Sequence, residues 1–310
     1  MDLFGSDSDS DTESSTPSVR NKDNGVMAFH AGTEQAMLVY LKNLVQVPLP
    51  QSEANEVLEH IDTFCLLRHW MMHVGSDKSA ILHAAISTAV SNFLHPVSAP
   101  DPDVSPSQPF NLLELGTYCG YSAVKLAITL KELLGDRPFV IHSLEIDEKN
   151  AEVASEVIRL AGFEKEVNVI VSRNVEAGIA SIRAIQSNGG GQGQESEGRE
   201  SAALSSQTLQ SPALSFHATF IDHDKDDYLS DLQYLLHQSL LPTAAVVIAD
   251  NVVMGRIDDY RDFVREEVER EGGKFTDSKL HFSSIEYCTP DRDQYTDEEL
   301  KDGVEVSVVR

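Results

Sequence analysis

Polar side chains that could hold a cation follow two apolar runs of the sequence. The run T-F-I ends in Asp222, with Lys225 close behind it, and the run A-V-V-I-A ends in Asp250 and Asn251. If the two runs are neighbouring parallel strands, their ends lie close together at one edge of a sheet. Carboxylate and amide oxygens suit a hard cation, and the absence of His and Cys from these ligands favours Mg²⁺ over zinc. We call Asp222, Asp250 and Asn251 the strand-end cluster.

Each of these residues also has an ordinary structural interpretation. An Asp often caps the helix that follows a strand, and Lys225 could form a surface salt bridge. We expect Asp226 and Asp227 to lie in the first turn of such a helix, where acids face its positive end. For the strand-end cluster we favour metal binding. A lysine with the ordinary pKa of about 10.4 is protonated at neutral pH, so it can act as a base only if a nearby cation outweighs the carboxylates and favours its neutral form.

A glycine-containing turn follows an earlier apolar run. In Glu114-Leu-Gly116-Thr-Tyr118-Cys-Gly120, glycines stand where the chain turns tightly and could approach a ligand. The spacing departs from the G-x-G-x-x-G pattern of dinucleotide sites, and Tyr118 would obstruct a pyrophosphate. Glu145 closes the next apolar run and could accept hydrogen bonds from both hydroxyls of a ribose. The pair predicts an adenosine cofactor without pyrophosphate, S-adenosylmethionine; the structural alternative is a helix-start turn followed by a surface acid.

Alternating strand and helix patterns are expected to position these groups. Helical spacing of apolar residues predicts three helices before the first strand, at 33–46, 52–72 and 77–94. The predicted strands that follow are 110–115, 138–144, 166–171, 216–221 and 243–249. The predicted helices between and after them are 121–134, 148–161, 174–186, 226–240 and 258–271. This order predicts an α/β protein with a mostly parallel sheet covered on both faces, and two final strands at 279–288 and 303–310 that could form an antiparallel edge.

Three stretches interrupt these patterns. Residues 1–30 are acidic and rich in serine, so we expect a disordered solubilising tail, with serine phosphorylation as the alternative. Residues 96–109 are rich in proline, and residues 187–213 are rich in Gly, Ser and Gln. Because regular elements resume after both, they are interpreted as loop insertions in one domain that spans residues 31–310.

The composition argues against several classes of protein. The chain has 24 Lys and Arg against 50 Asp and Glu, a formal charge of −26, which disfavours binding to nucleic acid or to an anionic membrane. It contains no apolar run of membrane-spanning length and no secretory leader, so a cytoplasmic location is predicted. The three scattered cysteines, Cys65, Cys119 and Cys288, favour a reducing compartment.

Five stretches of the sequence resemble catechol O-methyltransferases, a branch of the cation-dependent O-methyltransferases. The resemblance runs from about residue 32 to the end and is carried by E-H-I-D-T-F-C (59–65), H-W-M-M-H-V-G-S-D-K (69–78), L-L-E-L-G-T-Y-C-G-Y-S-A-V (112–124), F-I-D-H-D-K-D-D-Y-L (220–229) and I-A-D-N-V (248–252). It implies a Rossmann-like class I methyltransferase fold with extra N-terminal helices and an antiparallel edge strand. It also implies a monomeric enzyme that uses S-adenosylmethionine and Mg²⁺ to methylate one hydroxyl of a catechol.

The resemblance implies roles for individual residues. The strand-end cluster would hold Mg²⁺, and Lys225 would be the general base. Glu286 would hold the second catechol hydroxyl, and Trp70 would form part of the wall around the catechol. His223 would lie near the adenine. The full set of residues expected at the S-adenosylmethionine site is Met72, Val74, Glu114, Gly116, Tyr118, Ser122, Glu145, Ile146, Asn174, His223 and Asp224.

The sequence also departs from the catechol pattern. Asp224 stands where that branch has Trp, and it matches the F-x-D-A-D-K-x-N-Y pattern of caffeoyl-coenzyme A-type relatives. Asn174 and Val175 replace a Ser-Gln pair of the adenine contact. The segment V-V-M-G-R after Asn251 lacks a proline, and residues 289–301 form a further insertion near the predicted second-hydroxyl residue. Three alternatives therefore stay open: a methyltransferase for a larger phenol or coenzyme A ester, a non-catalytic cofactor-binding protein, and a nicotinamide oxidoreductase, which the glycine spacing disfavours.

Overall fold

The computed structural model of the chain describes residues 32–68, 71–96, 108–189, 214–284, 296–298 and 300–310. The predicted tail at 1–30 lies outside these residues. So do most of the predicted insertions at 96–109, 187–213 and 289–301.

In the part of the chain that the structure describes, three helices precede the sheet and five more alternate with its strands. The helices are α1 (Thr33–Leu44), α2 (Asn55–Leu67), α3 (Ser76–Leu94), α4 (Tyr121–Leu134), α5 (Glu148–Leu160), α6 (Val175–Gly189), α7 (Tyr228–His237) and α8 (Asp258–Glu269). The strands are β1 (Phe110–Leu115), β2 (Phe139–Glu145), β3 (Val167–Val171), β4 (Ala218–Ile221), β5 (Val246–Ala249), β6 (Phe275–Ser284) and β7 (Lys301–Val309).

The described strands form one sheet of seven, in the order β3-β2-β1-β4-β5-β7-β6. Strands β1 to β5 run parallel, and β7 is antiparallel to both β5 and β6. The predicted α/β fold with a mostly parallel sheet and N-terminal helices is confirmed. The structure adds a detail to the antiparallel edge: the antiparallel strand is β7, and β6 covers it from outside.

Strands β1 to β5 are mostly apolar and buried because helices cover both faces of the sheet. Along β1, Phe110 and Leu112 pack with α1 to α5, whereas Leu113 and Leu115 pack with α6, α7 and α8. Successive side chains of a strand point to opposite faces, so one strand contributes to both halves of the core.

The strand order reverses at β1, and this places the polar residues after three strands at one edge. From β1 the chain proceeds outward through β2 and β3, then returns to the other side of β1 with β4 and β5. In the register, Leu115 lies beside Ile221, and Ile221 lies beside Ala249. The residues that follow therefore emerge side by side at the carboxyl edge, where a parallel sheet forms its ligand crevice.

Two predicted helices differ from those observed. The helix predicted at 52–72 is shorter at both ends: it runs from Asn55 to Leu67, after a 3₁₀ turn at Gln51–Glu53. The helix predicted at 226–240 starts with a short 3₁₀ turn, Lys225–Asp227, before α7 begins. Among the described residues, no helix combines the length and the apolar character that crossing a bilayer requires.

Candidate active site

A cleft of about 1560 Å³ opens at the carboxyl edge of the sheet. Helix α1, the segment before α3 and the ends of β1, β2, β4 and β5 all contribute to its wall. The predicted cofactor residues that line it are Met72, Val74, Gly116, Tyr118, Ser122, Glu145, Ile146, Asn174, His223 and Asp224. Lys225 and the whole strand-end cluster line the same cleft.

The turn after β1 requires glycine because it lies directly against the end of β4. Gly116 has φ +92°, and a Cβ atom there would stand 2.3 Å from the backbone oxygen of Asp222. Glu145 also stabilises the turn, because its Oε2 accepts a hydrogen bond from the Tyr118 backbone N–H at 2.8 Å. Its Oε1 accepts the backbone N–H groups of Ile146 and Asp147 at 3.0 and 2.9 Å. Burial raises the pKa of Glu145 above its ordinary value.

Glu114 lies beneath this turn and does not line the cleft. Its side chain is fully buried, and Thr117 Oγ1 donates to its Oε2 at 2.9 Å, with Ser143 Oγ as a second donor. Burial raises the pKa of Glu114 to about 7. Glu114 thus stabilises the turn through its hydrogen bond with Thr117. Its contact with a cofactor stays a prediction.

His223 and Asp224 connect the end of β4 to α7. The His223 ring stacks on Tyr228 with centroids 5.2 Å apart, and its Nε2 lies 2.8 Å from Asp231 Oδ2. Asp224 Oδ1 accepts the backbone N–H of Asp226 and so caps the 3₁₀ turn. The expected placement of Asp226 and Asp227 at the helix start is confirmed.

Lys225 lies among polar side chains that line the cleft. Its Nζ donates to Asp222 Oδ1 at 2.8 Å, to Asn251 Oδ1 at 3.1 Å and to the Tyr228 hydroxyl at 2.7 Å. The Tyr228 hydroxyl in turn donates to the backbone oxygen of Asp250 at 3.1 Å. Tyr228 is fully buried, and burial raises its pKa well above the ordinary value. Lys225 is therefore held by contacts with both strand ends.

A second lysine lies behind the strand-end cluster. Lys78 Nζ is 2.8 Å from Asp250 Oδ1 and 2.6 Å from Asp302 Oδ2. Although burial disfavours its charged form, the two carboxylates raise the pKa of Lys78 above its ordinary value. Burial raises the pKa of Asp250, whereas at Asp302 the effect of burial is outweighed by the Lys78 ammonium and the pKa is lowered.

Residues 104–182 match the O-methyltransferase family. This match covers β1, the turn that lines the cleft, and β2. Over this segment the chain is similar to O-methyltransferases.

Proteins similar to this chain include catechol O-methyltransferases. The chain is 30% identical over 215 residues to catechol O-methyltransferase B of Danio rerio, and the alignment spans 69% of this chain and 63% of that protein. It is 28% identical over 255 residues to catechol O-methyltransferase of Mus musculus, with 82% and 74% of the two chains covered. The O-methyltransferase of Bacillus cereus in complex with SAH superposes with a TM-score of 0.47 at 20% identity, over 89% of this chain and 97% of that one.

The donor set of the strand-end cluster fits a hard cation. The Lys225 ammonium is held by oxygen atoms of both Asp222 and Asn251, so two of the expected ligand atoms already face a positive charge. Within the described part of the chain, no group of three or more His, Cys, Asp or Glu side chains could hold a metal. The cluster has two carboxylates, and its third ligand is an amide oxygen, a donor that Mg²⁺ and Ca²⁺ accept.

Four residues in or directly behind this cleft were not predicted from the sequence. Glu34, on α1, is 5% exposed and accepts the Tyr118 hydroxyl at 2.9 Å. Its position on the same helix face as the buried Met37 and Leu41 is a signal that could have found it. Lys78 likewise starts the buried face of α3, but Tyr228 and Asp302 carried no comparable pattern. Two predicted residues, Trp70 and Glu286, lie outside the described residues.

Proposed function

We propose that the chain is an S-adenosylmethionine-dependent O-methyltransferase that methylates one hydroxyl of a catechol held on Mg²⁺. The observation that carries the proposal is the convergence of Lys225 and the strand-end cluster at one end of the cleft. The glycine turn and Glu145 line the same cleft, and they suit an adenosine cofactor. A methyl donor and an acceptor hydroxyl could therefore meet in this one cleft.

The proposed ligands of the cation are the strand-end cluster. A cation held there would bind the two vicinal hydroxyls of a catechol and lower the pKa of one of them. Catechol O-methyltransferases of fish and mouse are among the relatives of the chain, which supports this substrate class.

Lys225 is proposed to take the proton of the reacting hydroxyl. Its Nζ contacts three oxygen atoms, and one of them is the Tyr228 hydroxyl. This hydroxyl would still hold Nζ in the cleft when Asp222 and Asn251 bind the metal cation. The phenolate oxygen then forms a bond to the methyl carbon as the carbon–sulfur bond breaks. S-adenosylhomocysteine and a singly methylated catechol are the products, and no covalent bond to the protein is needed. The remaining contribution of the protein is to position the two reactants.

A coenzyme A ester or a larger phenol is the second candidate substrate. Asp224 favours it, because this residue lines the cleft and matches the caffeoyl-coenzyme A-type pattern. A cytoplasmic location, a monomeric state and the absence of nucleic-acid binding also stay predictions.

The proposal is tested by offering the full chain S-adenosylmethionine with catechols, monophenols and coenzyme A esters and analysing the products by mass. We expect a gain of one methyl group on catechols, and no product with Lys225→Met. Asp222→Ala should abolish turnover while S-adenosylmethionine still binds. Methylation of coenzyme A esters alone would favour the second candidate, and cofactor binding without turnover on any substrate would favour a non-catalytic protein. Binding of NAD in place of S-adenosylmethionine would contradict both.

A further inference from the structure

Two buried charged residues lie directly behind the strand-end cluster and have no part in the proposed proton transfer. Lys78 is 4% exposed and Asp302 is 0% exposed, and they form an ion pair with 2.6 Å between Nζ and Oδ2. Taking such a pair out of water is costly, and replacing it by apolar residues is often neutral or stabilising. A contribution to stability is therefore a weak explanation for its presence.

Asp302 determines which end of the Asn251 amide faces the cleft. Asp302 Oδ2 accepts a hydrogen bond from Asn251 Nδ2 at 2.7 Å, and an ionised carboxylate can only accept. The amide nitrogen is therefore directed away from the cleft, and Asn251 Oδ1 faces Lys225 Nζ at 3.1 Å. A flipped amide would set Oδ1 against Asp302 Oδ2 with no proton between them. Asp302 is itself anchored through Oδ1, which accepts the backbone N–H of Met254 at 3.0 Å.

Lys78 does the same for the Asp250 carboxylate. Asp250 Oδ1 accepts from Lys78 Nζ at 2.8 Å and from the Asn251 backbone N–H at 2.7 Å. With two donors on Oδ1, Oδ2 is the oxygen that remains for the cleft. Lys78 also balances two buried carboxylates at once, since Asp250 and Asp302 both contact it.

We propose that Lys78 and Asp302 are positioning residues that orient the strand-end cluster so that oxygen atoms, and no N–H group, face the bound cation. The inference rests on the proposed function, because it takes the strand-end cluster as the metal site. Neither residue lines the cleft, so both act through Asp250 and Asn251. Partners behind metal ligands commonly change metal affinity by about 10–100-fold when they are removed.

The test is the affinity of the full-length Asp302→Asn variant for Mn²⁺, measured from the electron paramagnetic resonance signal of the free ion. Asparagine at this position can offer an N–H group to Asn251, which allows the Asn251 amide to flip and present its nitrogen to the cation. We expect the Kd for Mn²⁺ to rise by at least about tenfold. The Kd for S-adenosylmethionine without metal should change by less than about threefold.

Glu305→Gln is the matched control. Glu305 lies on the same strand as Asp302 and is also 0% exposed. Its carboxylate accepts from Arg265 at 3.2 Å and from Ser278 at 2.9 Å, and it does not line the cleft. The substitution also removes a buried negative charge from this strand, but the Kd for Mn²⁺ should stay unchanged.

The double variant Asn251→Asp with Asp302→Asn separates orientation from general packing. A carboxylate at 251 presents an oxygen whichever way it turns, and the amide at 302 can donate to it. Orientation by Asp302 therefore predicts that the double variant recovers the wild-type Kd for Mn²⁺ to within about threefold. If Asp302→Asn alone fails to fold, the double variant still tests the inference. A folded double variant whose Kd for Mn²⁺ exceeds that of wild type by more than about tenfold overturns it.

Failure of this inference is distinguishable from failure of the proposed function. If wild-type protein binds Mn²⁺ and needs a cation for turnover, but Asp302→Asn binds as tightly, only the positioning role is wrong. If wild-type protein binds no Mn²⁺, the metal site and the inference both fail.

Discussion

Replacing Gly116 by Ala tests how closely the cofactor turn is tied to the strand-end cluster. A Cβ atom at Gly116 would lie 2.3 Å from the Asp222 backbone oxygen, 2.8 Å from its carbonyl carbon and 2.9 Å from His223 Cα. All three are backbone atoms, so no rotamer change relieves the contact. Because ordinary contacts begin at 3.4 Å, the end of β4 must shift by about 1 Å.

The magnitude follows from two costs. Alanine at the positive φ of +92° costs about 1–2 kcal/mol, and overpacking typically adds about 1–3 kcal/mol. We therefore expect the free energy of unfolding to fall by about 2–5 kcal/mol. A displacement of about 1 Å at reacting groups can lower the rate about 100-fold, so kcat should fall by that order because Asp222 moves.

The assay combines urea unfolding with kcat for methyl transfer, and Gly272→Ala is the control. Gly272 has φ +70°, and a Cβ atom there would meet no other atom within 4 Å, so Gly272→Ala carries the backbone strain without the clash. It should lose only about 1–2 kcal/mol and keep its kcat. Equal stability and equal kcat for Gly116→Ala and Gly272→Ala would refute the reasoning.

Three further predictions concern the cleft and the core. Tyr228→Phe removes the hydroxyl that accepts a hydrogen bond from Lys225 at 2.7 Å. We expect kcat to fall about tenfold and the free energy of unfolding to fall by about 1–3 kcal/mol. An unchanged kcat would show that Lys225 is held in place without this hydroxyl. Burial lowers the pKa of His142 and His217 from 6.5 to about 4. Between pH 6.5 and about 4 the unfolded chain binds more protons than the folded chain, so the free energy of unfolding should fall as pH falls through this window, by about 2–3 kcal/mol per histidine. Replacing either histidine by glutamine should weaken this dependence on pH, measured by urea unfolding at several pH values; an unchanged dependence would contradict the prediction. Asp224→Trp should change either the Kd for S-adenosylmethionine or the preference between catechols and coenzyme A esters, and no change in both would limit Asp224 to capping the 3₁₀ turn.

Much of the fold could be predicted because strand and helix patterns are local. Each strand from β1 to β5 is a short apolar run closed by a glycine or a polar residue, and each following helix has its own periodicity. The crevice position followed from Gly116, Asp222 and Asp250 ending three such runs. The place of β7 between β5 and β6 was not predictable in the same way, because the pairing of β5 with β7 joins segments more than fifty residues apart and leaves no local pattern.

The same distinction applies to the candidate site. Residues that follow strands, such as Lys225 and Asn251, were found because parallel strand ends converge. Lys78 and Asp302 are 224 residues apart, and their contact depends on how α3 packs against the sheet. A lysine on the buried face of α3 signals that a partner exists, but the sequence alone does not identify that partner.

The claim that the strand-end cluster holds a catalytic cation is tested most directly by methyl transfer to a catechol. Wild type and Asp222→Ala are assayed at increasing Mg²⁺ after complete removal of metal with a chelator. We predict no product from wild type without metal, recovery as Mg²⁺ is added, and no recovery in Asp222→Ala although S-adenosylmethionine still binds. Equal turnover of wild type with and without the chelator, or full activity of Asp222→Ala, would contradict the claim.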